Sequence, residues 1–230
     1  MNRYIAQTRL NEIGKEGQER LWDAKVLIVG CGALGSPIAM YLAGAGVGHI
    51  VIADFDTVDI SNLHRQVFYS ESESGFFKAD CLKEKMRALN SEISIDVWKK
   101  LVTSEMLKEI DTLPDIIVDA ADNPATTYML DEYCRINDIP FSTAGVSEWN
   151  AQIFFYSPGS ASYSDIFPEP GNFDSVLPCS LAGIVGPVAS FAASIQAADV
   201  IKFLTDPGKT ERSRLIIASL LSGRVEKMEC

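Results

Sequence analysis

A glycine-rich sequence, GCGALG, constrains the fold more than any other feature of this chain of 230 residues. It follows the apolar run Val26–Val29 and opens the helix-like stretch Leu34–Ala43. In such a strand–turn–helix unit, Gly30 permits a tight turn, Gly32 lets a phosphate approach the backbone, and Gly35 lets the helix pack closely on the strand. The pattern predicts a nucleotide-binding turn rather than a plain tight turn, but it does not distinguish NAD from ATP.

Strand-like and helix-like segments alternate along the first two-thirds of the chain, as is typical of parallel βαβ units. We predict strands over Val26–Val29, His49–Ala53, Ile93–Val97, Asp115–Ala120 and Ile139–Thr143, and helices over Leu34–Ala43, Lys78–Leu89 and Pro124–Ile136.

Three later segments have the pattern of antiparallel strands that extend the sheet: Ala151–Tyr156, Leu215–Leu220 and Gly223–Met228. The predicted fold class is therefore α/β, a Rossmann-like doubly wound, mostly parallel sheet extended by antiparallel C-terminal strands. We expect a single domain over residues 1–230. It would have a helical N-terminal segment over 1–24 and a flexible crossover loop over 157–180.

The charge and the cysteine spacing exclude several classes of function. The formal net charge is −11, from 20 Lys and Arg against 31 Asp and Glu, so we expect no nucleic-acid partner. Two histidines and five dispersed cysteines without a CxxC pair predict neither a local zinc site nor a disulfide scaffold. Unpaired, scattered cysteines favour a reducing cytoplasm as the location.

One stretch, Ser175–Ala198, carries no charged residue. It contains prolines and a glutamine, and Asp199 and Lys202 follow it at once, so it predicts a buried or interface helix rather than a membrane span. The polar N-terminus shows no targeting segment. The uncharged helix near Leu181 is the natural place for a two-fold interface.

Polar residues cluster after the second predicted strand. Asp54 ends that strand, where a carboxylate can accept hydrogen bonds from both hydroxyls of a ribose. Arg65 and Lys78 follow, and two cations near a glycine loop suit a triphosphate better than a dinucleotide. Asp56 and Asp59 fit either this site or a solvated loop.

A second polar cluster, DAADNP, follows the buried strand that ends near residue 120. Ligands bind at the carboxyl ends of strands in such sheets, so Asp122 is placed to help hold Mg²⁺ beside the phosphates. The alternative is that Asp122 caps the helix that begins near Pro124. The sequence alone leaves both open.

Six motifs in this order resemble the ThiF/MoeB/HesA family, the bacterial relatives of ubiquitin-activating enzymes. They are LIVGCGALGSP, YLAGAGVG, DFDTV, SNLHRQ, the pair Asp122-Asn123, and PCSLAGIVGP. The fourth is similar to the family's SNLQRQ, with His64 in place of glutamine, and Lys78 falls at the family's phosphate lysine. The resemblance runs from about Arg3 to Gly223, nearly the whole chain.

The resemblance implies ATP-dependent adenylation of the C-terminal glycine carboxylate of a small ubiquitin-like sulfur carrier, of ThiS or MoaD type, with release of pyrophosphate. It implies ATP and Mg²⁺ as cofactors, a homodimer, a carrier ending in Gly-Gly and a sulfurtransferase as partners, with no membrane partner. In this view Arg65 and Lys78 stabilise the transferring phosphate and Asp122 positions Mg²⁺. The implied nucleotide site comprises Gly30, Gly32, Gly35, Asp54, Asp56, Asn62, Arg65, Lys78, Asp122 and Asn123.

Cys179 lies in the motif that surrounds the family's cysteine, and two roles stay open for it. ThiF-type proteins use this cysteine to form a persulfide link to the carrier, whereas MoeB-type proteins carry one without needing it. A thiol in a Pro- and Gly-rich loop beside a helix N-terminus would have a lowered pKa, which favours the first role. Burial at an interface is the second.

Two departures from the family pattern affect the prediction. Ala6 stands where the family has an arginine that reaches the partner's ATP, so a non-catalytic or weakly active nucleotide- and partner-binding protein is the first alternative. Activation of a different carboxylate is the second. Many relatives bind zinc through two CxxC pairs, but SYSD, residues 162–165, stands where the first pair would be, and we expect no zinc.

Overall fold

The computed structural model of the protein describes residues 3–170, 183–206 and 212–230. These residues contain one eight-stranded sheet with the order β3-β2-β1-β4-β5-β6-β7-β8. The strands are β1 (Lys25–Val29), β2 (His49–Ala53), β3 (Ser94–Trp98), β4 (Ile116–Asp119), β5 (Phe141–Ser147), β6 (Asn150–Tyr156), β7 (Arg214–Ser219) and β8 (Arg224–Glu229). Strands β1 to β5 pair in parallel and β5 to β8 pair antiparallel, which confirms the predicted fold class.

Seven α-helices accompany the sheet in the described residues: α1 (Gly14–Asp23), α2 (Gly35–Ala45), α3 (Lys78–Leu89), α4 (Ser104–Lys108), α5 (Pro124–Ile136), α6 (Tyr163–Ile166) and α7 (Gly186–Thr205). The bounds of α3 and α5 are those predicted. The N-terminal segment 1–24 was predicted to be helical. Among its described residues only α1 is helical, and turns precede it. Helix α2 ends at Gly46, whose φ of 86° lets its amide bond back to the last carbonyls of the helix.

Apolar side chains bury both faces of the central parallel strands, so these strands have no face in contact with water. In β1, Val26 and Ile28 belong to the core beneath α2, α3 and α7. The intervening Leu27 and Val29 belong to the core beneath α4 and α5. The continuous apolar runs in the sequence follow directly from this two-sided burial.

Helix α7 is long and apolar enough to cross a membrane by length and composition, with a mean hydropathy of 1.3 over its most apolar window. Of that window, 56% is buried within the protein, as in the core helix of a globular fold. Gln196 and Asp199, both buried, lie in the middle of it. Because the helix covers the sheet, it is the buried helix that the uncharged stretch predicts.

The first part of the predicted crossover loop, residues 157–170, is held by hydrogen bonds. Ser162 caps α6 in a reciprocal pair with Asp165, where the family's first CxxC pair would stand. The buried carboxylate of Asp131 accepts hydrogen bonds from the amides of Tyr163, at 2.9 Å, and Ser164, at 3.1 Å. The Ser162 cap and the hydrogen bonds to Asp131 thus hold α6 in place. The rest of the predicted loop, 171–180, lies outside the described residues.

Candidate functional site

The glycine loop between β1 and α2 leaves no room for side chains at two of its three glycines. Gly30 has a φ of 98°, and a Cβ there would lie 2.5 Å from the carbonyl oxygen of Ala120. A Cβ at Gly35 would lie 1.8 Å from the carbonyl oxygen of Gly30. At Gly32 the nearest atom would be Nε2 of Gln66 at 3.5 Å, an ordinary contact. Gly30 and Gly35 are therefore required by packing, whereas Gly32 leaves its backbone open to a ligand.

Asp54 connects the glycine loop to the end of β2. One carboxylate oxygen accepts the amide of Cys31 at 2.6 Å, and the other accepts the amide of Asp56 at 2.7 Å. Burial raises the pKa of Asp54 above its usual value, and the two amide hydrogen bonds oppose that shift. Each oxygen keeps a second lone pair, so Asp54 can position the loop and still accept from a ribose hydroxyl.

Lys78, the first residue of α3, is 5% exposed in its side chain and pairs with Asp56, which is 51% exposed, at 2.8 Å. The backbones of the same two residues also pair, the Lys78 amide donating to the Asp56 carbonyl at 2.9 Å. Asp59 instead accepts the amide of Ser61 at 2.7 Å and caps the 3₁₀ turn Ile60–Asn62. Asp56 thus holds a buried cation, and Asp59 has a local structural role.

Arg65 lies beside the start of α7. Its guanidinium donates to Oδ1 of Asn62 at 2.5 Å, and a second guanidinium nitrogen lies 2.9 Å from Nε2 of His64. A Cβ at Gly186 would lie 2.9 Å from the His64 carbonyl oxygen and 3.3 Å from Cα of Arg65. The first turn of α7 therefore packs directly on this loop. Gly186 lies in the motif PCSLAGIVGP but was not among the predicted site residues.

Asp122 and Asn123 follow β4. The sequence left two roles open for Asp122, Mg²⁺ binding and capping of α5. Asn123, not Asp122, caps α5, because its Oδ1 accepts the amide of Thr126 at 2.9 Å. The capping alternative for Asp122 is therefore wrong. The Asp122 side chain is exposed, and among the described residues it enters no hydrogen bond or ion pair. Its carboxylate is available to an external ligand.

Asp119, the last residue of β4, is a buried acid that the sequence analysis did not single out. Its carboxylate accepts hydrogen bonds from the hydroxyls of Thr127, at 2.7 Å, and Thr143, at 2.8 Å, and from the amide of Ala121, at 3.0 Å. Burial raises the pKa of Asp119 to about 6 against these hydrogen bonds. The available signal was an acidic residue at the end of an otherwise apolar strand.

The turn between β5 and β6 meets the segment that leads into α7. The Glu148 amide donates to the Gly183 carbonyl at 2.9 Å, and the Val185 amide donates to the Glu148 carbonyl at 3.3 Å. Glu148 itself has a positive φ of 54°. A shallow surface depression of about 390 Å³ is lined by Glu148, Trp149, Gly183, Ile184 and Val185.

The described cysteines offer no reactive thiol in the glycine loop or in α5. Cys31 and Cys134 are fully buried, and burial raises the pKa of each thiol well above its usual value. Thiols of this kind are inert packing residues. The candidate nucleophile Cys179 lies outside the described residues.

Metal ligands are sparse at the site. Across residues 3–170, 183–206 and 212–230, no group of three or more His, Cys, Asp or Glu side chains could hold a metal ion. Mg²⁺ bound with a triphosphate needs only one or two protein carboxylates, because phosphate oxygens and water fill the other positions. The exposed Asp122 carboxylate fits that limited requirement.

Comparisons with known proteins agree in family and fold. The model of the ThiF family matches residues 4–230. The adenylyltransferase and sulfurtransferase MOCS3 of Dictyostelium discoideum is 40% identical over 207 residues, which are 90% of this chain and 49% of that protein. The SAMP-activating enzyme E1 of Haloferax volcanii is 34% identical over 94% of this chain and 80% of its own length. The chain thus spans about half the length of the MOCS3 relatives.

Solved structures of E. coli MccB share the fold. MccB with ATP has a TM-score of 0.83 and 28% identity over 99% of this chain and 71% of its own. The microcin C7 biosynthetic enzyme MccB in complex with N-formylated MccA has a TM-score of 0.84 and 26% identity over 99% of this chain and 72% of its own.

Proposed function

Because the chain belongs to the ThiF family, we propose that it is an adenylyltransferase that uses ATP to activate the C-terminal carboxylate of a ubiquitin-like sulfur carrier. The names of its relatives MOCS3 and SAMP-activating enzyme E1 support the class of reaction. The finer assignment is a carrier of ThiS or MoaD type ending in Gly-Gly. A sulfurtransferase would be the further partner, supported by the second activity in the name of MOCS3.

The observation that carries the proposal is the chain of contacts from the glycine loop to a buried cation. Asp54 accepts the Cys31 amide in that loop and the Asp56 amide, and Asp56 holds the Lys78 ammonium at 2.8 Å. A preorganised cation of this kind beside a phosphate-binding loop stabilises charge that develops on a phosphoryl group. A hydride-transferring dehydrogenase would have no use for it.

In the proposed reaction the carrier carboxylate attacks the α-phosphorus of ATP in line. A carboxylate oxygen–phosphorus bond forms, the bond from that phosphorus to the bridging oxygen breaks, and pyrophosphate leaves with the electron pair. The open backbone at Gly32 receives phosphate oxygens, Asp54 accepts from the ribose, and Arg65 and Lys78 stabilise the negative charge. Positioning and electrostatics suffice, so no protein nucleophile is required for this step.

Asp122, with Asn123 beside it, would hold Mg²⁺, whose charge would neutralise the phosphate oxygens when bound. This chain's own contribution is an exposed carboxylate at the carboxyl end of β4, next to the loop that packs on Gly30. The role of Asn123 is to cap α5 and so fix the position of Asp122.

ATP–pyrophosphate exchange tests the proposal. We expect exchange that depends on a purified carrier ending in Gly-Gly and is lost in Asp122→Ala. Asp111→Ala is the matched control, because Asp111 is also exposed but precedes β4, on the side of that strand opposite to Asp122 along the chain. Carrier-independent or absent exchange in the wild-type chain would contradict carrier adenylation.

A non-catalytic scaffold is the second candidate, and the N-terminus supports it. Ala6 replaces the family arginine, and the neighbouring Arg3 donates to the Leu89 carbonyl at 2.5 Å. ATP binding without exchange, together with a gain of exchange in Ala6→Arg, would favour this candidate.

Activation of a different carboxylate substrate is the third candidate, prompted by the MccB structures that contain MccA. Exchange stimulated by a short peptide in place of the carrier would favour it.

We propose a covalent role for Cys179 in which its thiolate takes a sulfane sulfur from a persulfide donor, whose thiolate leaves. The terminal sulfur of the Cys179 persulfide then attacks the adenylated carrier carboxyl, so that an acyl disulfide link to the carrier forms and AMP leaves. Mass spectrometry after incubation with ATP, carrier and a sulfur donor should find an adduct on Cys179. An unchanged sulfur-transfer rate in Cys179→Ser would exclude the role.

We also propose that the protein is a homodimer joined near α7 and that it is located in the cytoplasm. Sedimentation of the full chain measures the oligomeric state.

A further inference from the structure

Asp119 is buried beside the proposed site but has no part in the reaction as described. It is 1% exposed, and it accepts hydrogen bonds from three different elements. Thr143 belongs to β5, Thr127 to the first turns of α5, and Ala121 to the loop between β4 and α5. A buried carboxylate is costly unless its hydrogen bonds are made, and here they tie a loop to a strand and a helix at once.

The loop held in this way forms one wall of the nucleotide site. The Ala120 amide donates to the carbonyl of Val29 at 2.8 Å, which anchors the loop to β1. The Ala120 carbonyl oxygen also fills the space in which Gly30 would carry a Cβ. The next residues are Ala121, whose amide Asp119 binds, and then Asp122. The hydrogen bond at Ala121 therefore fixes the backbone on which the Asp122 carboxylate is mounted.

We propose that Asp119 is a positioning residue that acts through the Ala121 amide on Asp122. The inference rests on the proposed function, because it assigns a task to the Mg²⁺ carboxylate of that site. The threonine hydroxyls orient the Asp119 carboxylate, one carboxylate oxygen holds the Ala121 amide, and the loop presents Asp122 to the metal and phosphates. Residues that orient metal ligands commonly change metal affinity about 10-fold to 100-fold when they are removed.

The test measures binding rather than turnover. Isothermal titration of the full chain gives the ATP dissociation constant with Mg²⁺ and with EDTA, and the ratio reports how much the metal strengthens binding. We expect Asp122→Ala to abolish that enhancement. Asp119→Ala should reduce the enhancement about 10-fold, while ATP affinity in EDTA stays within a small factor of the wild-type value. Asp119→Asn keeps an oxygen for the Ala121 amide and should retain most of the enhancement.

A second buried aspartate separates positioning from general destabilisation. The matched control is Asp131→Ala, which removes another buried aspartate that docks α6 and should lower stability without changing the enhancement. If Asp119→Ala fails to fold, Thr143→Val removes one orienting hydroxyl, and a partial loss of the enhancement is expected.

Two results would overturn the inference alone: an unchanged enhancement in Asp119→Ala or, if that variant does not fold, in Thr143→Val; or a loss of the enhancement in Asp131→Ala as large as that in Asp119→Ala. A wild-type chain whose ATP affinity does not respond to Mg²⁺ would overturn the proposed function, and the inference with it.

Discussion

Replacing Asp119 by asparagine should change how the stability of the protein depends on pH. Burial raises the pKa of this carboxyl from 3.8 to about 6, so the native state binds more protons than the unfolded state between those values. The free energy of unfolding contributed by Asp119 is then complete below about pH 4 and is lost as pH rises through about 6. A shift of about two pKa units corresponds to about 3 kcal/mol.

The assay is urea unfolding of the wild type and Asp119→Asn, followed by circular dichroism. Asparagine has nearly the same shape and stays neutral, so most other titrations cancel in the comparison. From pH 4 to pH 7, the wild type should lose about 2 kcal/mol relative to the variant. The difference in unfolding free energy between wild type and Asp119→Asn should therefore depend on pH. If that difference does not change with pH, or if it favours the wild type more at neutral pH, the reasoning that burial dominates the environment of Asp119 is refuted.

Asp165→Asn provides a control with the opposite sign. Hydrogen bonds from Ser162 lower the pKa of the exposed Asp165. Its contribution to stability is therefore present above the unfolded pKa and is lost as pH falls through the folded value. The difference between wild type and Asp165→Asn should grow, not shrink, as pH rises.

The glycine loop and the α6 cap provide two further predictions. Gly35→Ala should lower the melting temperature sharply, because its Cβ would lie 1.8 Å from the Gly30 carbonyl, whereas Gly32→Ala should keep the melting temperature and weaken ATP affinity in calorimetry. Equal destabilisation by both would contradict the packing argument. Ser162→Ala removes the cap that pairs with Asp165 and should cost about 1 kcal/mol in urea unfolding, and a neutral effect would show that α6 does not need its cap.

The sequence determined the elements of the sheet and the glycine loop. All eight strands were predicted, and β1, β2 and β4 appear as short apolar runs because they are buried on both faces. The bounds of α3 and α5 followed from local spacing. The glycine loop was recognisable because the positive φ of Gly30 and the close packing at Gly30 and Gly35 admit no other residue.

The tertiary structure decided which polar groups meet. It paired Asp56 with Lys78, gave the cap of α5 to Asn123, and buried Asp119 among hydroxyls from two other elements. Local pattern does not report these choices, because a carboxylate's partners and its exposure to water are set by residues far away in the chain. Neighbouring residues determine the backbone conformation. The burial of Asp119, its hydrogen-bond partners and its raised pKa arise only when distant segments pack together.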